Sequence, residues 1–423
     1  MARPRLVALI AGTSGAKLYS MGLNILALAL TARWLGPDGR GILATLTTWV
    51  NTAAMLASLS LGSVAMQRLA GCRDSARFGD VFHALLRFAW ILAICAWGVM
   101  ALLWLARGSA LFGNAPAWAL ALACLMLPCL VWEGYANALL TTIERLRVFN
   151  LSLVTGRSLM LLGLLCLAVL DGVTLAGVLA VSVLAQCWIA GYSFPTLRAW
   201  ARQHQAAGAS TTEGRALLHG GMRLHLNTVG TLALNMAGTL LIANMLGARE
   251  AGFFQLAQQL MTVLLVIPQS ASLVIYGRQG ELGPDGVWPL QRKMLLGVVA
   301  LTAIAGLAMA MSAHIWLPWV AGPGYEPAIP LLLAMLPILV MLSFSSMMAS
   351  QWIGRGLFLT ASLLTVLVGL VNLLASSVWI PEFGMMGAVY AQLLALLVAV
   401  FTNSSMALWC ELKSRRLRAE SGK

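Results

Sequence analysis

The chain consists of apolar stretches of about twenty residues, joined by short connections that carry most of its arginine and lysine. Such a stretch crosses the hydrocarbon core of a bilayer as a helix, because lipid offers no partner to an unpaired backbone amide or carbonyl. Charged residues make up only 10% of the 423 positions, against about 25% in a typical soluble protein. The sequence therefore predicts an all-α polytopic membrane protein. We place twelve spans at residues 12–34, 42–68, 84–106, 117–140, 150–170, 173–197, 223–246, 252–276, 293–313, 328–350, 358–379 and 385–409.

The distribution of basic residues predicts the orientation. With the N-terminus in the cytoplasm, only Arg33, Arg40, Arg107 and Arg249 of the 27 basic residues fall on the outer side. Cytoplasmic loops are enriched in lysine and arginine, so both termini are expected in the cytoplasm. The basic first five residues lead into an apolar stretch too long for a signal peptide, and we expect an uncleaved first span. The net charge of +13 is spread over many short loops, so no nucleic-acid partner is expected.

A short motif occurs twice. Residues 35–41 read Leu-Gly-Pro-Asp-Gly-Arg-Gly, and residues 246–252 read Leu-Gly-Ala-Arg-Glu-Ala-Gly, 211 positions later. Each copy lies between two apolar stretches, and six spans in each half give both halves the same orientation. This pattern predicts two six-helix lobes related by a parallel pseudo-twofold repeat around a central cavity. We expect an N-terminal lobe at 1–200, a cytoplasmic linker at 201–222 and a C-terminal lobe with a basic tail at 223–423.

Polar residues recur along one face of spans 1 and 2, and the repeat offset carries this pattern into spans 7 and 8. A polar face on a membrane helix must meet protein or water. We interpret these faces as the lining of the cavity; the alternative is hydrogen bonding between packed helices. The candidate substrate-binding residues are Lys17, Ser20, Asn24, Asn51, Arg68, Glu133, Asn137, Arg223, Asn227, Thr231, Asn235 and Gln258.

The charged candidates suggest an anionic ligand. Lys17, Arg68 and Arg223 lie near the cytoplasmic ends of their spans and are suited to a phosphate group. The alternatives are contact with lipid phosphates and, for Lys17, a side chain that reaches the headgroup region. Glu133 lies deep in span 4, where it is a candidate for H⁺ or Na⁺ coupling, for pairing with Lys17 or Arg157, or for structural hydrogen bonding. No metal site and no other cofactor are predicted.

Three segments resemble one family of transporters. Residues 29–41, Ala-Leu-Thr-Ala-Arg-Trp-Leu-Gly-Pro-Asp-Gly-Arg-Gly, resemble the first-loop signature of the bacterial polysaccharide flippases, within the multidrug/oligosaccharidyl-lipid/polysaccharide exporter superfamily. Residues 246–257 and 143–150 are similar to two further features of this family. The chain departs from the family pattern at Gly238, about where an Asp is common in span 7.

The resemblance implies a flippase that moves an undecaprenyl-diphosphate-linked oligosaccharide from the inner to the outer leaflet of the bacterial cytoplasmic membrane. Rocking of the two lobes would provide alternating access. The partners expected from this resemblance are the lipid-linked oligosaccharide and membrane lipids, while contact with other polysaccharide assembly proteins is left open. We expect a monomer, and a transporter rather than an enzyme.

Three rival functions fit the sequence less well. A drug/cation antiporter of the same superfamily calls for acidic lining, which only Glu133 offers. A major-facilitator sugar transporter usually carries a Gly-x-x-x-Asp-basic-x-Gly-basic pattern, which residues 71–79 do not match. A membrane enzyme that processes glycans usually has large outer loops with Asp-x-Asp or His-x-x-x-x-Asp motifs, and neither motif occurs.

Overall fold

The fold is built from helices. The computed structural model describes residues 3–69, 77–204 and 211–421, and in these ranges all regular structure is helical, which confirms the all-α prediction. The α-helices are α1 Arg3–Ala57, α2 Leu61–Leu69, α3 Arg77–Arg107, α4 Ala117–Cys124, α5 Leu127–Thr142, α6 Leu146–Val169, α7 Leu175–Gln203, α8 Thr211–Asn235, α9 Ala237–Met245, α10 Ala248–Leu264, α11 Val266–Met311, α12 Ala313–Ala321, α13 Ala328–Ala334, α14 Leu336–Gly354, α15 Phe358–Phe383 and α16 Met385–Ser421. Of the predicted linker 201–222, residues 211–222 begin α8, and 205–210 lie outside the described residues.

The described residues contain nine single helical stretches long and apolar enough to cross a membrane, or up to eleven if each of two bent pairs is one span. The first stretch, Leu18–Ala57, has 40 residues and would reach about 60 Å as a continuous helix, twice the thickness of the hydrocarbon core. It covers residues 18–34 of predicted span 1 and residues 42–57 of predicted span 2, and a break at Gly36 separates them. Each of the twelve predicted spans overlaps one of these stretches.

Two helices break at the same tetrapeptide, Gly-Pro-Asp-Gly. In α1 the break is at Gly36 (φ 66°, ψ 179°), and in α11 it is at Gly283 (φ 70°, ψ 166°). A positive φ is readily adopted only by glycine. The following residues, Pro37 and Pro284, have a ring that fits the first position of a new helix. The local sequence therefore explains why these two long helices change direction where they do.

The chain divides into two compact units. The N-terminal unit comprises Met1–Thr228, Gly247–Gly252 and Val320–Gly322. Within it α1 packs on α5 and α6, and α7 packs on α5 and α6. An ideal Cβ on Gly156 of α6 would lie 2.2 Å from the Ile189 side chain, so glycine permits the close approach of α6 to α7. Aromatic rings of Phe82, Trp132 and Phe194 meet at 5.7 to 6.1 Å in its interior.

The C-terminal unit comprises Val229–Leu246, Phe253–Trp319 and Pro323–Lys423. Its largest contacts join α11 to α14 and α15 to α16. Buried Gln291 of α11 donates to the Met347 carbonyl at 2.7 Å and accepts from Gln351 of α14 at 2.5 Å. These amides satisfy each other inside the unit, where an unpaired amide would be costly.

Candidate functional site

The polar residues predicted on span 1 lie on α1 in different environments. Ser20 is buried, and its hydroxyl oxygen has no hydrogen-bond partner among the described residues. Asn24 is exposed, although it belongs to the membrane-spanning stretch Leu18–Ala57. The side chain of Lys17 lies outside the described residues. Because lipid offers an amide no hydrogen-bond partner, the exposure of Asn24 favours a water-accessible surface on this helix.

The second predicted polar face contains Asn51, which lies on the same long helix after the break. Its Nδ2 donates to the Thr47 carbonyl at 2.8 Å, while Thr47 Oγ1 donates to the Leu43 carbonyl at 2.8 Å. Both bonds are made within the helix, so neither residue joins α1 to a neighbour through them. Asn51 is nevertheless exposed, and the rest of its amide is presented at the helix surface.

Glu133 of α5 is held by an amide. Gln186 of α7 donates from Nε2 to Glu133 Oε2 at 2.5 Å, and Gln186 is only 5% exposed. In the described side chains Glu133 makes no ion pair with Arg157. Asn137, one turn further along α5, is exposed, so Glu133 and Asn137 place a carboxylate and an amide on one face of the helix. Among the described side chains, Glu133 is therefore held by a neutral amide and not by a cation.

Arg68 belongs to a three-residue ion cluster. Arg68 Nε lies 2.9 Å from Glu213 Oε2, and Arg77 Nε lies 2.8 Å from Glu213 Oε1. The cluster joins the end of α2, the start of α3 and the first turn of α8, all within the N-terminal unit. The side chain of Glu213 is only 12% exposed, and those of Arg68 and Arg77 are 29% and 38% exposed. Two arginines around one carboxylate leave the cluster with a net positive charge.

The charge state of Glu213 follows from this geometry. Burial alone would raise the pKa of its carboxyl group, but the hydrogen bonds and positive charges of Arg68 and Arg77 outweigh burial and lower it. The carboxylate is therefore ionised at neutral pH and bridges both arginines. The predicted phosphate contact Arg68 already binds one anionic group in this conformation.

The second half of the predicted site lies around a bend in span 7. Helices α8 and α9 meet there at 48°, which leaves carbonyl groups at the end of α8 without helical partners. Gln258 of α10 donates from Nε2 to the Asn235 carbonyl at 3.1 Å. Asn372 of α15 donates from Nδ2 to the carbonyls of Ala233 at 2.9 Å and Leu234 at 3.1 Å. Two side-chain amides thus cap the broken end of the helix, and Gln258 has a structural role that the sequence pattern did not indicate.

The remaining candidates are also on α8. Asn227 is exposed and Thr231 is half-buried, while the side chain of Arg223 lies outside the described residues. The N-terminal unit includes Asn227 together with Ser20, Asn24, Asn51, Arg68, Glu133 and Asn137. The C-terminal unit includes Thr231, Asn235 and Gln258. The sequence-predicted residues are therefore divided between the two units.

The two copies of the repeated motif touch each other. An ideal Cβ on Gly41 would lie 1.9 Å from the carbonyl oxygen of Ala248, and one on Gly252 would lie 2.9 Å from Gly41 Cα. Gly113 approaches the same place, since its Cβ would lie 3.0 Å from the Ala248 side chain. The segment Gly247–Gly252 is accordingly part of the N-terminal unit. Glycine in the motif is needed because no side chain fits between the two backbones.

Three residues of these arrangements were missed by sequence reasoning. Gln186 and Asn372 are each an isolated amide in an otherwise apolar span, a pattern that marks a residue with a definite partner. Glu213 is the acidic residue of a polar connection whose neighbours are basic or neutral. The isolation of the two amides was a usable sequence signal, whereas nothing in the sequence showed where Glu213 would find its partners.

Comparison with known proteins identifies the fold. A multidrug resistance MATE family transporter of the MOP superfamily, in an inward-facing conformation, aligns with a TM-score of 0.69 at 17% identity, over 96% of each chain. The lipid II flippase MurJ, in an inward closed conformation, aligns with a TM-score of 0.72 at 13% identity, over 93% of this chain and 87% of that chain. A MOP superfamily transporter from Pyrococcus furiosus aligns with a TM-score of 0.58 at 14% identity, over 94% and 95%. A search of curated protein sequences found no significant match.

The fold defines a multi-pass membrane protein of the same two-lobe, twelve-helix class as the MATE transporters and MurJ. The family model for polysaccharide biosynthesis proteins matches residues 7–276, which is more than half of the chain. The chain belongs to this family. Family and fold together support a membrane transporter or flippase.

Proposed function

We propose that the protein is a flippase for an undecaprenyl-diphosphate-linked oligosaccharide, which it moves from the inner to the outer leaflet of the bacterial cytoplasmic membrane for polysaccharide biosynthesis. Both termini lie in the cytoplasm in this proposal, and the two six-helix lobes alternate between inward and outward access. Support comes from the polysaccharide biosynthesis family and from the structural likeness to a protein described as a lipid II flippase.

The observation that carries the proposal is the exposure of side-chain amides within membrane helices. Asn24, Asn51 and Asn137 are all exposed, and each lies in a stretch that is apolar enough to cross a membrane. An amide facing lipid would lose its hydrogen bonds with water without replacement. In the proposed mechanism these residues line a hydrated path and donate and accept hydrogen bonds with the hydroxyl groups of the glycan.

The diphosphate group would interact with the ion cluster. Its oxygens and the carboxylate of Glu213 are competing partners for Arg68 and Arg77, because arginine binds carboxylate and phosphate with the same planar donor geometry. We infer that the arriving diphosphate displaces Glu213, with Lys17 and Arg223 as further cationic contacts. Since Glu213 begins α8 and Arg68 ends α2, this exchange would release a contact between those helices when cargo is present.

A vesicle assay tests the proposal directly. The purified full-length chain is reconstituted into liposomes that contain an undecaprenyl-diphosphate-linked oligosaccharide with a fluorescent sugar. A membrane-impermeant reductant then reports the fraction of label exposed on the outer leaflet. We expect the protein to make the protected half of the label accessible, and liposomes with heat-inactivated protein to keep it protected. Protection that persists with folded protein would contradict a flippase function.

The role of the exposed amides Asn24 and Asn51 is tested in the same assay. The double variant N24A/N51A should slow movement of the glycolipid by about tenfold or more, since each lost hydrogen bond contributes about 1 kcal/mol. N244A is the matched control, because Asn244 is an exposed amide on α9 that is not one of the candidate substrate-binding residues. Equal rates for the double variant and the wild type, at equal thermal stability, would remove these residues from the proposed path.

A second candidate is a drug/cation antiporter of the same superfamily, and the contact between Glu133 and Gln186 favours it. A carboxylate held by an amide can bind a cation or a proton in a membrane span. An ethidium-type cation that is taken up by proteoliposomes in a Glu133-dependent manner, without any movement of glycolipid, would favour this function over the flippase.

A further inference from the structure

A pocket with a volume of about 760 Å³ lies in the C-terminal unit, and none of the sequence-predicted site residues lines it. Its walls come from α11 just after the break at Gly283, from the end of α14 and from the last part of α16. The volume is within the range of small-molecule sites in proteins. All three walls are on the side that the distribution of basic residues predicts to be cytoplasmic.

The rigid part of the pocket is an anchored arginine. Arg355 Nη2 lies 2.6 Å from Asp285 Oδ1, and Arg355 Nε donates to Gln351 Oε1 at 3.3 Å. Gln351 in turn donates to Gln291, which is completely buried. The charge of Arg355 is therefore satisfied by the protein, and this network fixes the position of the wall.

Two other cations at the pocket are available to a ligand. Arg292 Nη1 lies 3.9 Å from Glu411 Oε1, and the Arg292 side chain is 61% exposed. An exposed pair at this distance contributes little, so it does not compete strongly with a ligand. Lys293 is exposed and has no ion-pair partner among the described residues. The adjacent Arg292 and Lys293 thus present two positive charges at the rim.

The surface next to these cations is apolar. Leu296, which also lines the pocket, is 75% exposed and lies one turn after Arg292 on the same helix face. The same helix continues with Ile304 and Leu307, which are 66% and 50% exposed. Trp288, one turn before Arg292, has an indole ring suited to the headgroup level of a membrane. Along its axis this helix therefore offers, in order, an indole, a cationic site and exposed apolar side chains that an acyl chain can contact.

We propose that this pocket binds an anionic glycerophospholipid, with its phosphate held by Arg292 and Lys293 and an acyl chain along the exposed face of α11. Three basic and two acidic side chains line the pocket, and this positive balance favours an anionic lipid over a zwitterionic choline lipid. The exposed apolar side chains favour a lipid over free phosphate, because free phosphate has no acyl chain to contact them. This site is independent of the proposed transport function.

Native mass spectrometry of the full-length protein in detergent tests the proposal, with dioleoyl phosphatidylglycerol, dioleoyl phosphatidylcholine and inorganic phosphate as separate probes. Each cation near a membrane surface contributes about fivefold in affinity for an anionic lipid. The variant R292Q/K293Q should therefore bind phosphatidylglycerol about 25-fold more weakly than the wild type. The control R198Q/R202Q removes two exposed arginines of the N-terminal unit and should retain wild-type binding.

Leu296 separates a lipid from a free anion. L296N places a polar side chain without charge in the path of the acyl chain, so it should weaken binding of phosphatidylglycerol while leaving any binding of inorganic phosphate unchanged. Thermal unfolding of each variant without lipid verifies the fold. The proposal is overturned if R292Q/K293Q retains phosphatidylglycerol as the wild type does, if phosphatidylcholine binds equally well, or if inorganic phosphate displaces the lipid at equal concentration.

Discussion

The carbonyl oxygen of Ala248 occupies the space that a side chain on Gly41 would need, at 1.9 Å from the ideal Cβ position. These two residues belong to the two copies of the repeated motif, so equivalent segments of the two halves pack backbone to backbone. Gly252 takes part in the same contact, with its ideal Cβ 2.9 Å from Gly41 Cα. If the two lobes rock as proposed, we expect this contact to open in one of the two access states, so its strength would bias the choice between conformations.

We expect G41A to disrupt this packing. A methyl group cannot share the space of a backbone carbonyl, and backbone atoms move less readily than a flexible side chain, so the cost is on the order of 3 kcal/mol. The variant should unfold at a lower temperature or adopt the conformation in which the two motifs are apart. Thermal unfolding detects the first result. The second is detected by labelling of a cysteine introduced within the motif at residues 35–41, which becomes more accessible when the two motifs are apart. G98A is the control, because nothing lies within 4 Å of an added methyl group on Gly98; equal behaviour of the two variants would contradict the packing argument.

Replacement of Glu213 by glutamine should weaken the contact between the start of α8 and the ends of α2 and α3. The neutral amide can accept one hydrogen bond, but Arg68 and Arg77 then face each other without a negative charge between them. Loss of charge-assisted hydrogen bonds of this kind costs about 1.5 to 3 kcal/mol. Thermal unfolding of E213Q measures this loss. E382Q is the matched control, since Glu382 is exposed and makes no ion pair within the described residues.

The same cluster should respond to pH with a defined sign. The pKa of Glu213 is lowered in the folded protein, so the stability it provides is fully present above the pKa of a free glutamate, about 4.3. This contribution is lost as the pH falls through the lower pKa of the folded state. Wild type and E213Q should therefore differ most at neutral pH and converge in acid. A difference in unfolding temperature that grows as the pH is lowered would contradict the ion cluster.

The spans were predictable from the sequence, because the thickness of the bilayer fixes their length and the lipid fixes their composition. The break at Gly36 was also accessible, since Gly-Pro-Asp-Gly is a strong local signal. The contact between Gly41 and Ala248 could not be predicted from the sequence, because a repeat shows which residues are equivalent and not which residues are adjacent. The roles of Gln258 and Glu213 were also missed, since each depends on a partner at least 23 positions away in the sequence.

Gln258 offers a test that separates structure from substrate binding. Q258A leaves the half-buried Asn235 carbonyl at the bend without its amide donor, and loss of such a hydrogen bond costs about 0.5 to 1.5 kcal/mol. N372A should act in the same direction, because Asn372 donates to two carbonyls at the same bend. T262A is the control, since Thr262 is exposed and donates only within its own helix. If Q258A lowers transport without changing thermal stability, the capping role is wrong and the predicted role in substrate binding is favoured.

Glu133 offers a test for ion coupling. E133Q keeps the size of the side chain and can still bond to Gln186, but it removes the charge that would bind a proton or Na⁺. We expect a folded protein in which the rate of glycolipid movement no longer responds to a Na⁺ or pH gradient, whereas the wild type responds to one of them. Q186L is the matched variant: it removes the neutral hydrogen-bond donor and keeps the carboxylate, so the response to the gradient should persist. If E133Q and the wild type respond equally to both gradients, Glu133 is a structural residue that fastens α5 to α7.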